Sequence, residues 1–321
     1  MKTAIITGVT GQDGAYLSRF LLQKNYRVIG LTRNNHADNV KRLVKLNIFD
    51  KMVVRECDLL DFSSCIKIFR EFNPDEIYNL AAQSSVGLSF DQPIGTMQYN
   101  VSSVLNILES IRFLELKSKY YQASSSEMYG KVQHLPIYLD TPMHPLSPYA
   151  ISKATAFWTV ANYRESYGLF ACNGVLFNHE SKLRDHTFFI KKVIIEAIKI
   201  KYDPSHMLHV GNINIKRDFG YSPKYVEAMW LMLQKDDPKD YIICSGVSTS
   251  LKTIVEYVFK SLDIPIDRYA VDPALFRPNE IIDIYGDNKL AREELGWECD
   301  LTIHDILDIM IKDELENHQT N

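Results

Sequence analysis

The stretch TAIITGVTGQDG, residues 3–14, joins a short apolar strand to a loop that contains three glycines. Leucines and a phenylalanine recur at helical spacing in residues 15–24, so the sequence predicts a strand, a glycine loop and a helix. Gly8 permits the tight turn, Gly11 lets the backbone approach a pyrophosphate, and Gly14 lets the helix pack closely on the strand. The alternative is a tight turn that binds no ligand.

Strands and helices continue to alternate through the first half of the chain. Further strands are predicted at 27–31, 52–55, 76–80, 120–123 and 173–177. This alternation is typical of an α/β protein with a Rossmann-type, doubly wound parallel sheet. After residue 177 the pattern breaks into shorter elements, and we assign the predicted helix 223–234 and strand 241–244 to a smaller, mostly C-terminal α/β lobe.

The ends of the predicted strands suggest which dinucleotide the sheet binds. The second strand lacks the terminal acidic residue that usually bonds the ribose in NAD-specific sites. Arg33 follows it instead and could pair with a 2′-phosphate, which favours NADP; the alternative is a solvated loop charge. Asp58 is placed to cap the following helix or to bond an adenine amino group. The small residues Ala81 and Ala82 leave room for a ligand at the end of the fourth strand.

Tyr149 and Lys153 lie four residues apart on a predicted helix, which places the phenol and the ammonium on one face. A nearby ammonium favours the phenolate, so we expect Tyr149 to act as a base near neutral pH. The run Ser124–Glu127 begins where the fifth strand stops and adds hydroxyls and a carboxylate at the same edge of the sheet. A half-exposed tyrosine beside a solvated lysine is the alternative.

Composition excludes several classes of protein. The 321 residues are 46% hydrophobic and carry a net charge of −4, which argues against a nucleic-acid surface and against a polybasic membrane patch. No apolar run approaches the roughly 20 residues of a membrane span, and the chain opens directly on a strand, so we expect a cytoplasmic protein without a signal peptide. The nine histidines form no metal-like cluster, and no metal is expected.

Four motifs together resemble the extended short-chain dehydrogenase/reductase superfamily: TGxxGxxG at 7–14, NLAA at 79–82, SSSE at 124–127 and YxxxK at 149–153. Longer blocks resemble the GDP-mannose 4,6-dehydratase family within it, at 121–130, 173–181, 211–218, 225–234 and 276–280. The resemblance runs nearly end to end. It implies an NADP-binding domain over 1–177, to which later segments return, and a mainly nucleotide-sugar-binding lobe over 178–321.

The resemblance implies a lyase that recycles a tightly bound NADP in each turnover. A hydride would leave C4 of the hexose, water would be eliminated across C5–C6, and the hydride would return to C6. Tyr149 would be the base for oxidation, Lys153 would lower its pKa and hold the ribose, and Glu127 would remove the C5 proton. Ser125 stands where the family carries a threonine that bonds the C4 oxygen, and Ser126 would help the leaving water.

The resemblance and the loop pattern together imply two sets of ligand contacts. NADP would be held by Gly8, Thr10, Gly11, Gln12, Asp13, Gly14, Arg33, Asp58, Leu59, Leu80, Ala81, Ala82, Tyr149 and Lys153. The GDP-sugar would be held by Ser84, Asn178, Glu180, Lys192, Arg217, Arg277 and Glu280. Arg217 and Arg277 would clamp the diphosphate, since guanidinium groups suit bidentate phosphate contacts. The alternatives are a structural Arg217–Asp218 ion pair and a capping role for Glu280.

Three departures from the family pattern leave the substrate and the assembly open. The loop at 33–38 is shorter and lacks an arginine pair, KLRD at 182–185 replaces a PRRG pattern, and the chain is short. GDP-N-acetylglucosamine or a GDP-heptose is therefore an alternative substrate. An NADP-dependent reductase or epimerase is the alternative enzyme class, and a non-enzymatic nucleotide-sugar-binding protein is a third possibility. The family commonly pairs through two helices that include the YxxxK helix, so a homodimer or homotetramer is expected.

Overall fold

The computed structural model describes residues 1–34 and 36–320, and its strands form one large and two small sheets. In chain order the strands are β1 Thr3–Thr7, β2 Arg27–Thr32, β3 Val53–Glu56, β4 Glu76–Asn79, β5 Lys119–Ser125, β6 Ala171–Leu176, β7 Asn178–Glu180, β8 Leu208–Val210, β9 Lys216–Tyr221, β10 Tyr241–Ile243, β11 Ser248–Ser250 and β12 Tyr269–Val271. The large sheet is parallel, in the order β10-β6-β5-β4-β1-β2-β3. The small sheets have the orders β11-β9-β7 and β12-β8.

Helices connect these strands and cover the large sheet. They are α1 Gln12–Gln23, α2 Ala37–Lys45, α3 Phe62–Phe72, α4 Val86–Asp91, α5 Pro93–Phe113, α6 Pro148–Tyr167, α7 Phe189–Tyr202, α8 Ser222–Gln234, α9 Leu251–Ser261, α10 Lys289–Leu295 and α11 Ile303–Thr320. In the described part of the chain, no helix is both long enough and apolar enough to cross a membrane.

The strand order reverses beside β1, since β2 and β3 lie on one side of it and β4, β5 and β6 on the other. Open parallel sheets bind ligands in the crevice outside the carboxyl ends of their strands, at such a reversal. The glycine loop follows β1, and Ser125 ends β5. Both candidate regions therefore lie at the same edge of the sheet, and the predicted Rossmann-type α/β fold is confirmed.

The large sheet is buried on both faces. Successive residues of a strand point to opposite sides, so Ile6 joins a cluster with Leu17 and Met229, whereas Ile5 joins a cluster with Phe69 on the other face. This double burial explains why β1 reads as a continuous apolar run rather than as an alternating one. The smaller lobe buries a separate apolar cluster to which α7, α9 and α11 contribute.

Two elements that we assigned to the smaller lobe belong instead to the lobe that contains the large sheet. Strand β10 pairs with β6 at the edge of the large sheet, where Ile242 lies opposite Val175. Helix α8 packs on α1, with the rings of Phe20 and Trp230 edge to face at 5.8 Å between centroids. The assignment was wrong because a three-residue strand that is buried throughout carries no signal of the sheet that it joins.

Of the two roles left open for Asp58, capping of the next helix is wrong. The Asp61 carboxylate caps α3 and accepts a hydrogen bond from the backbone N–H of Ser63 at 3.0 Å. Asp58 accepts from the backbone N–H of Leu60 at 3.0 Å, in a turn that precedes the helix. This turn buries Leu59 in the core, so the helix begins one turn later than the sequence suggested.

Candidate active site

The glycine loop brings the ends of β1 and β4 together. Gly8 adopts φ +64°, and a Cβ atom there would lie 2.8 Å from the backbone nitrogen of Ala81. A Cβ at Gly14 would lie 2.4 Å from the carbonyl oxygen of Gly8, so both positions require glycine. The Thr7 hydroxyl accepts hydrogen bonds from the backbone N–H groups of Leu80 and Ala81, each at 3.1 Å. The backbone on both sides of the crevice is therefore held at close approach.

Gln12 and Asp13, both predicted to bind the cofactor, are joined to the segment that follows β6. The Asp13 carboxylate lies 2.8 Å from Nε2 of His179 and accepts from the Ser222 hydroxyl at 2.7 Å. The Gln12 amide donates to the carbonyl oxygen of His179 at 3.1 Å and accepts from the Ser181 hydroxyl at 2.7 Å. These bonds fix the start of α1 against β7 and α8.

His179 is held as an imidazolium. Its Nδ1 lies 2.7 Å from the carbonyl oxygen of Phe177 and its Nε2 faces the Asp13 carboxylate, so both ring nitrogens must donate. Burial lowers the pKa of His179, but the Asp13 charge outweighs this effect and the pKa is raised. Burial likewise raises the pKa of Asp13, yet His179 and Ser222 bring it down to about 2. The sequence analysis missed His179, because its partner lies 166 residues away.

Arg33, Tyr99 and Asp58 share one corner of the crevice. The Arg33 guanidinium lies 5.4 Å from the centroid of the Tyr99 ring. Burial raises the pKa of the Tyr99 phenol, the positive charge of Arg33 lowers it, and the negative charge of Asp58 raises it further. Tyr99 is a second residue that sequence reasoning missed, because no motif links α5 to the end of β2. Position 35, in the loop that departs from the family pattern, lies outside the described residues.

The predicted catalytic residues converge at the end of β5. Ser125 ends the strand, and its hydroxyl accepts from the backbone N–H of Glu127 at 3.3 Å, at the start of the short 3-10 helix Ser126–Met128. Ser125 also lies close enough to Tyr149 to lower the pKa of its phenol. Lys153 is buried one helical turn beyond Tyr149, and its ammonium donates to the carbonyl oxygen of Ala123 at 2.8 Å.

The structure does not show the lowered pKa that we expected Lys153 to give Tyr149. Burial raises the pKa of Tyr149 to about 12, Ser125 lowers it in part, and the Glu127 charge raises it. Burial lowers the pKa of Lys153 to about 8. The ammonium lies 5.8 Å from the centroid of the Tyr149 ring and is directed to a backbone carbonyl, so its charge does not overcome the burial of the phenol.

Arg217 lies beside Glu127 and not beside Asp218. Its Nε is 4.0 Å from Oε1 of Glu127, and both side chains are largely buried. Asp218 instead accepts from the backbone N–H groups of Ser245 and Gly246, each at 2.8 Å. The alternative of a structural Arg217–Asp218 ion pair is therefore wrong.

Arg277 and Glu280 lie close enough to Arg217 to shift its pKa. Burial lowers the pKa of Arg217; the charge of Glu127 raises it, that of Arg277 lowers it and that of Glu280 raises it. Glu280 caps no helix and accepts from the Asn212 amide at 2.9 Å. The structure thus brings together Glu127 and three of the predicted substrate residues.

The other predicted substrate residues are more dispersed. The Asn178 amide donates to the carbonyl oxygen of Asp218 at 3.4 Å, and Glu180 is buried 3.2 Å from Nε of Arg184. Lys192 donates to the carbonyl oxygen of His209 at 2.9 Å, near the surface. Ser84 is exposed in the loop after β4.

The KLRD segment at 182–185 is tied to α2 and to the glycine loop. The Arg42 guanidinium of α2 donates to the carbonyl oxygen of Leu183 at 2.8 Å and to that of Thr10, in the glycine loop, at 3.2 Å. It also lies 3.2 Å from the Asp185 carboxylate. The acidic residue that departs from the family pattern therefore has a partner within the chain. Among the described residues, no three His, Cys, Asp or Glu side chains are grouped to hold a metal ion.

This fold and this arrangement of tyrosine, lysine and glutamate are those of an extended short-chain dehydrogenase/reductase. Residues 5–310 match the family model described as GDP-mannose 4,6 dehydratase, and the chain belongs to that family. It is 39% identical over 355 aligned residues to the GDP-mannose 4,6-dehydratase of Vibrio cholerae serotype O1, an alignment that covers 100% of this chain and 95% of that relative.

Solved structures of lower identity share the fold. A dTDP-glucose 4,6-dehydratase of Streptomyces venezuelae, with NAD and TYD bound, is 20% identical with a TM-score of 0.88 and covers 99% of this chain and 98% of its own. RMD of Pseudomonas aeruginosa, complexed with NADPH, is 23% identical with a TM-score of 0.83 and covers 99% of this chain and 100% of its own. Proteins of this fold therefore include both NAD and NADPH complexes.

Proposed function

We propose that the protein is a GDP-mannose 4,6-dehydratase, a lyase that converts GDP-mannose to GDP-4-keto-6-deoxymannose. The observation that carries this proposal is the position of Glu127, whose backbone N–H donates to the Ser125 hydroxyl and whose charge acts on the nearby phenol of Tyr149. Reductases and epimerases of this fold need the tyrosine and lysine, but they need no carboxylate here. Membership of the dehydratase family supports the same reaction and the same substrate.

NADP fits the crevice as the resident cofactor. The backbone at Gly8 and Gly14 leaves no space for a Cβ atom, as a loop that cradles a pyrophosphate requires. Arg33 lies at the end of β2, where it would pair with a 2′-phosphate, beside Tyr99 and Asp58. When bound, NADP supplies the acceptor and donor of the hydride. The remaining predicted contacts are Thr10, Gly11, Gln12, Asp13, Leu59, Leu80, Ala81, Ala82, Tyr149 and Lys153.

The chain's own residues move the protons. Tyr149 takes the proton of the C4 hydroxyl, and Ser125, close to the phenol, bonds the C4 oxygen. Oxidation at C4 acidifies the C5–H. Glu127 removes that proton and gives it to the C6 hydroxyl, which leaves as water with help from Ser126. A solvent-derived proton then returns to C5. The Lys153 ammonium donates to the carbonyl oxygen of Ala123 and also bonds the ribose.

The GDP moiety is held mainly by residues of 178–321. Arg217 and Arg277 bind the diphosphate, Glu280 accepts from a ribose hydroxyl, and Lys192 lies towards the phosphates. Asn178, Glu180 and Ser84 line the sugar region. Support comes from Arg217, which lies beside the proposed base, and from Arg277 and Glu280, whose charges act on Arg217.

Two copies of the chain pair through α5 and α6, giving a homodimer or a homotetramer. These helices pack on each other and expose apolar side chains, including Leu105 and Ile151, and Trp158 is 62% exposed. Light scattering after size exclusion tests this assembly. A monomer at micromolar concentration would contradict it, and Trp158→Lys is expected to dissociate the pair.

The proposed reaction is tested by incubating purified protein with GDP-mannose in D2O, without added cofactor, followed by mass spectrometry. Loss of water with incorporation of one deuterium is the expected result. Turnover of GDP-N-acetylglucosamine or a GDP-heptose, with none of GDP-mannose, would refute the substrate. Exchange without loss of water, or consumption of NADPH in a parallel reaction to which NADPH is added, would refute the dehydratase in favour of an epimerase or a reductase.

A further inference from the structure

Arg217 is held in place by the backbone. Its Nη1 donates to the carbonyl oxygens of Ile281 at 2.7 Å and Lys216 at 2.8 Å. The two backbone segments that carry these carbonyls are paired with each other. The N–H of Lys216 donates to the carbonyl oxygen of Ile282 at 2.8 Å, and the N–H of Asp218 donates to that of Ile284 at 3.1 Å. The guanidinium is thus anchored between β9 and the segment that carries Arg277 and Glu280.

The anchored guanidinium faces Glu127. A planar guanidinium has five N–H donors, and the two on Nη1 point to the carbonyls of Lys216 and Ile281. Nε lies 4.0 Å from Oε1 of Glu127, and the two side chains are 7% and 15% exposed. A charge pair as buried as this one is little screened by solvent, so the direction of the guanidinium constrains the direction of the carboxylate.

The backbone of Glu127 does not by itself fix the direction of its carboxylate. Its backbone is fixed by the bond to Ser125, but that bond leaves the carboxylate free to rotate about its side-chain torsions. Effective proton removal requires the carboxylate within hydrogen-bond distance of the C–H that it attacks. Arg217 is the cation that the structure places against this carboxylate, whereas Arg277 is exposed and acts on Arg217 through its charge.

We propose that Arg217 is a positioning residue for Glu127, and that it couples binding of the nucleotide diphosphate to removal of the C5 proton. The inference rests on the proposed dehydratase function and extends it. A cation that only binds diphosphate affects every step through substrate occupancy. A cation that also orients Glu127 affects proton removal at C5 even when substrate saturates the enzyme, and leaves oxidation at C4 intact.

The test compares Arg217→Gln with Arg277→Gln in the full-length protein carrying its resident cofactor. Arg277 is the matched control, because it is the other proposed diphosphate cation. Three quantities are measured: the dissociation constant for GDP-mannose, the amplitude of C4 oxidation in a single turnover, and the rate of C5 deuterium incorporation at saturating GDP-mannose. Both variants are expected to bind GDP-mannose about 10- to 100-fold more weakly.

Only Arg217→Gln is expected to lower C5 exchange at saturation, by at least about 10-fold, with C4 oxidation within about 2-fold of wild type. Arg217→Lys, which keeps the charge but not the planar fork, is expected to recover part of the exchange and serves if the glutamine variant fails to fold. Equal C5 exchange in Arg217→Gln and Arg277→Gln at saturation would overturn the inference alone. Absence of C5 exchange in the wild type would overturn the proposed function and, with it, the inference.

Discussion

Replacing His179 by glutamine is expected to destabilise the protein by breaking the buried pair with Asp13. The Asp13 and His179 side chains are 22% and 10% exposed, and their nitrogen and oxygen atoms lie 2.8 Å apart. The pKa of Asp13 is about 2 against 3.8 for an ordinary aspartate, a difference that corresponds to about 2 kcal/mol of stability at neutral pH. Because the variant leaves Asp13 buried without its cation, the expected loss is about 2–4 kcal/mol.

The pH dependence follows from the direction of each pKa. The Asp13 pKa is lowered in the folded protein. Its contribution to the free energy of unfolding is therefore fully present above pH 3.8 and is lost as the pH falls through about 2. The His179 pKa is raised, so its contribution is fully present below pH 6.5 and is lost as the pH rises through the folded-state value. The difference in the free energy of unfolding between wild type and His179→Gln is therefore largest between these limits and shrinks at alkaline pH.

Urea denaturation at pH 5.5 and pH 9, followed by circular dichroism, measures these free energies of unfolding. His206→Gln is the matched control, because His206 forms a 2.6 Å pair with Glu196 that is more exposed, and its loss is expected to cost less than about 1 kcal/mol. If His179→Gln loses no more than His206→Gln at pH 5.5, the buried pair does not stabilise the fold as argued.

Four further substitutions test the proposed site. Glu127→Gln is expected to keep its cofactor and form the C4 ketone but to exchange deuterium at C5 at least about 100-fold more slowly; exchange at the wild-type rate would remove Glu127 as the base. Tyr149→Phe is expected to abolish C4 oxidation, seen as loss of the NADPH absorbance in a single turnover, and full turnover would exclude its role. Arg33→Ala is expected to weaken NADP binding to the apoprotein about 10- to 100-fold with less effect on NAD; equal losses in calorimetry would contradict the 2′-phosphate contact. Arg42→Gln is expected to speed NADP release several-fold, because Arg42 links the Thr10 carbonyl to the Asp185 carboxylate. An unchanged release rate would show that this link does not retain the cofactor.

Local patterns were sufficient to predict the start of the large sheet, from β1 to α1. The apolar run of β1, the glycines after it and the helical spacing of α1 are signals contained within a few residues of one another, and the structure matches them. Gly8 and Gly14 show why such a motif is informative, since each makes a backbone approach that no larger residue allows. By contrast, β10 could not be assigned to a sheet from three apolar residues.

Burial and distant pairing account for what the sequence analysis missed. The spacing of Tyr149 and Lys153 indicates a shared helix face, but it does not indicate that burial raises the pKa of the phenol. Arg217 and Glu127 are 90 positions apart by residue number, and only the fold brings them within 4.0 Å. His179 and Tyr99 likewise acquire their surroundings from remote segments.

The most direct measurement of the account's central claim uses GDP-mannose that carries deuterium at C4. If a resident NADP takes the hydride from C4 and returns it to C6, the dehydrated product will carry that deuterium at C6, without any added cofactor, as read by NMR. Release of the C4 deuterium to solvent, or its appearance in free NADPH, would contradict the redox-neutral cycle that we propose.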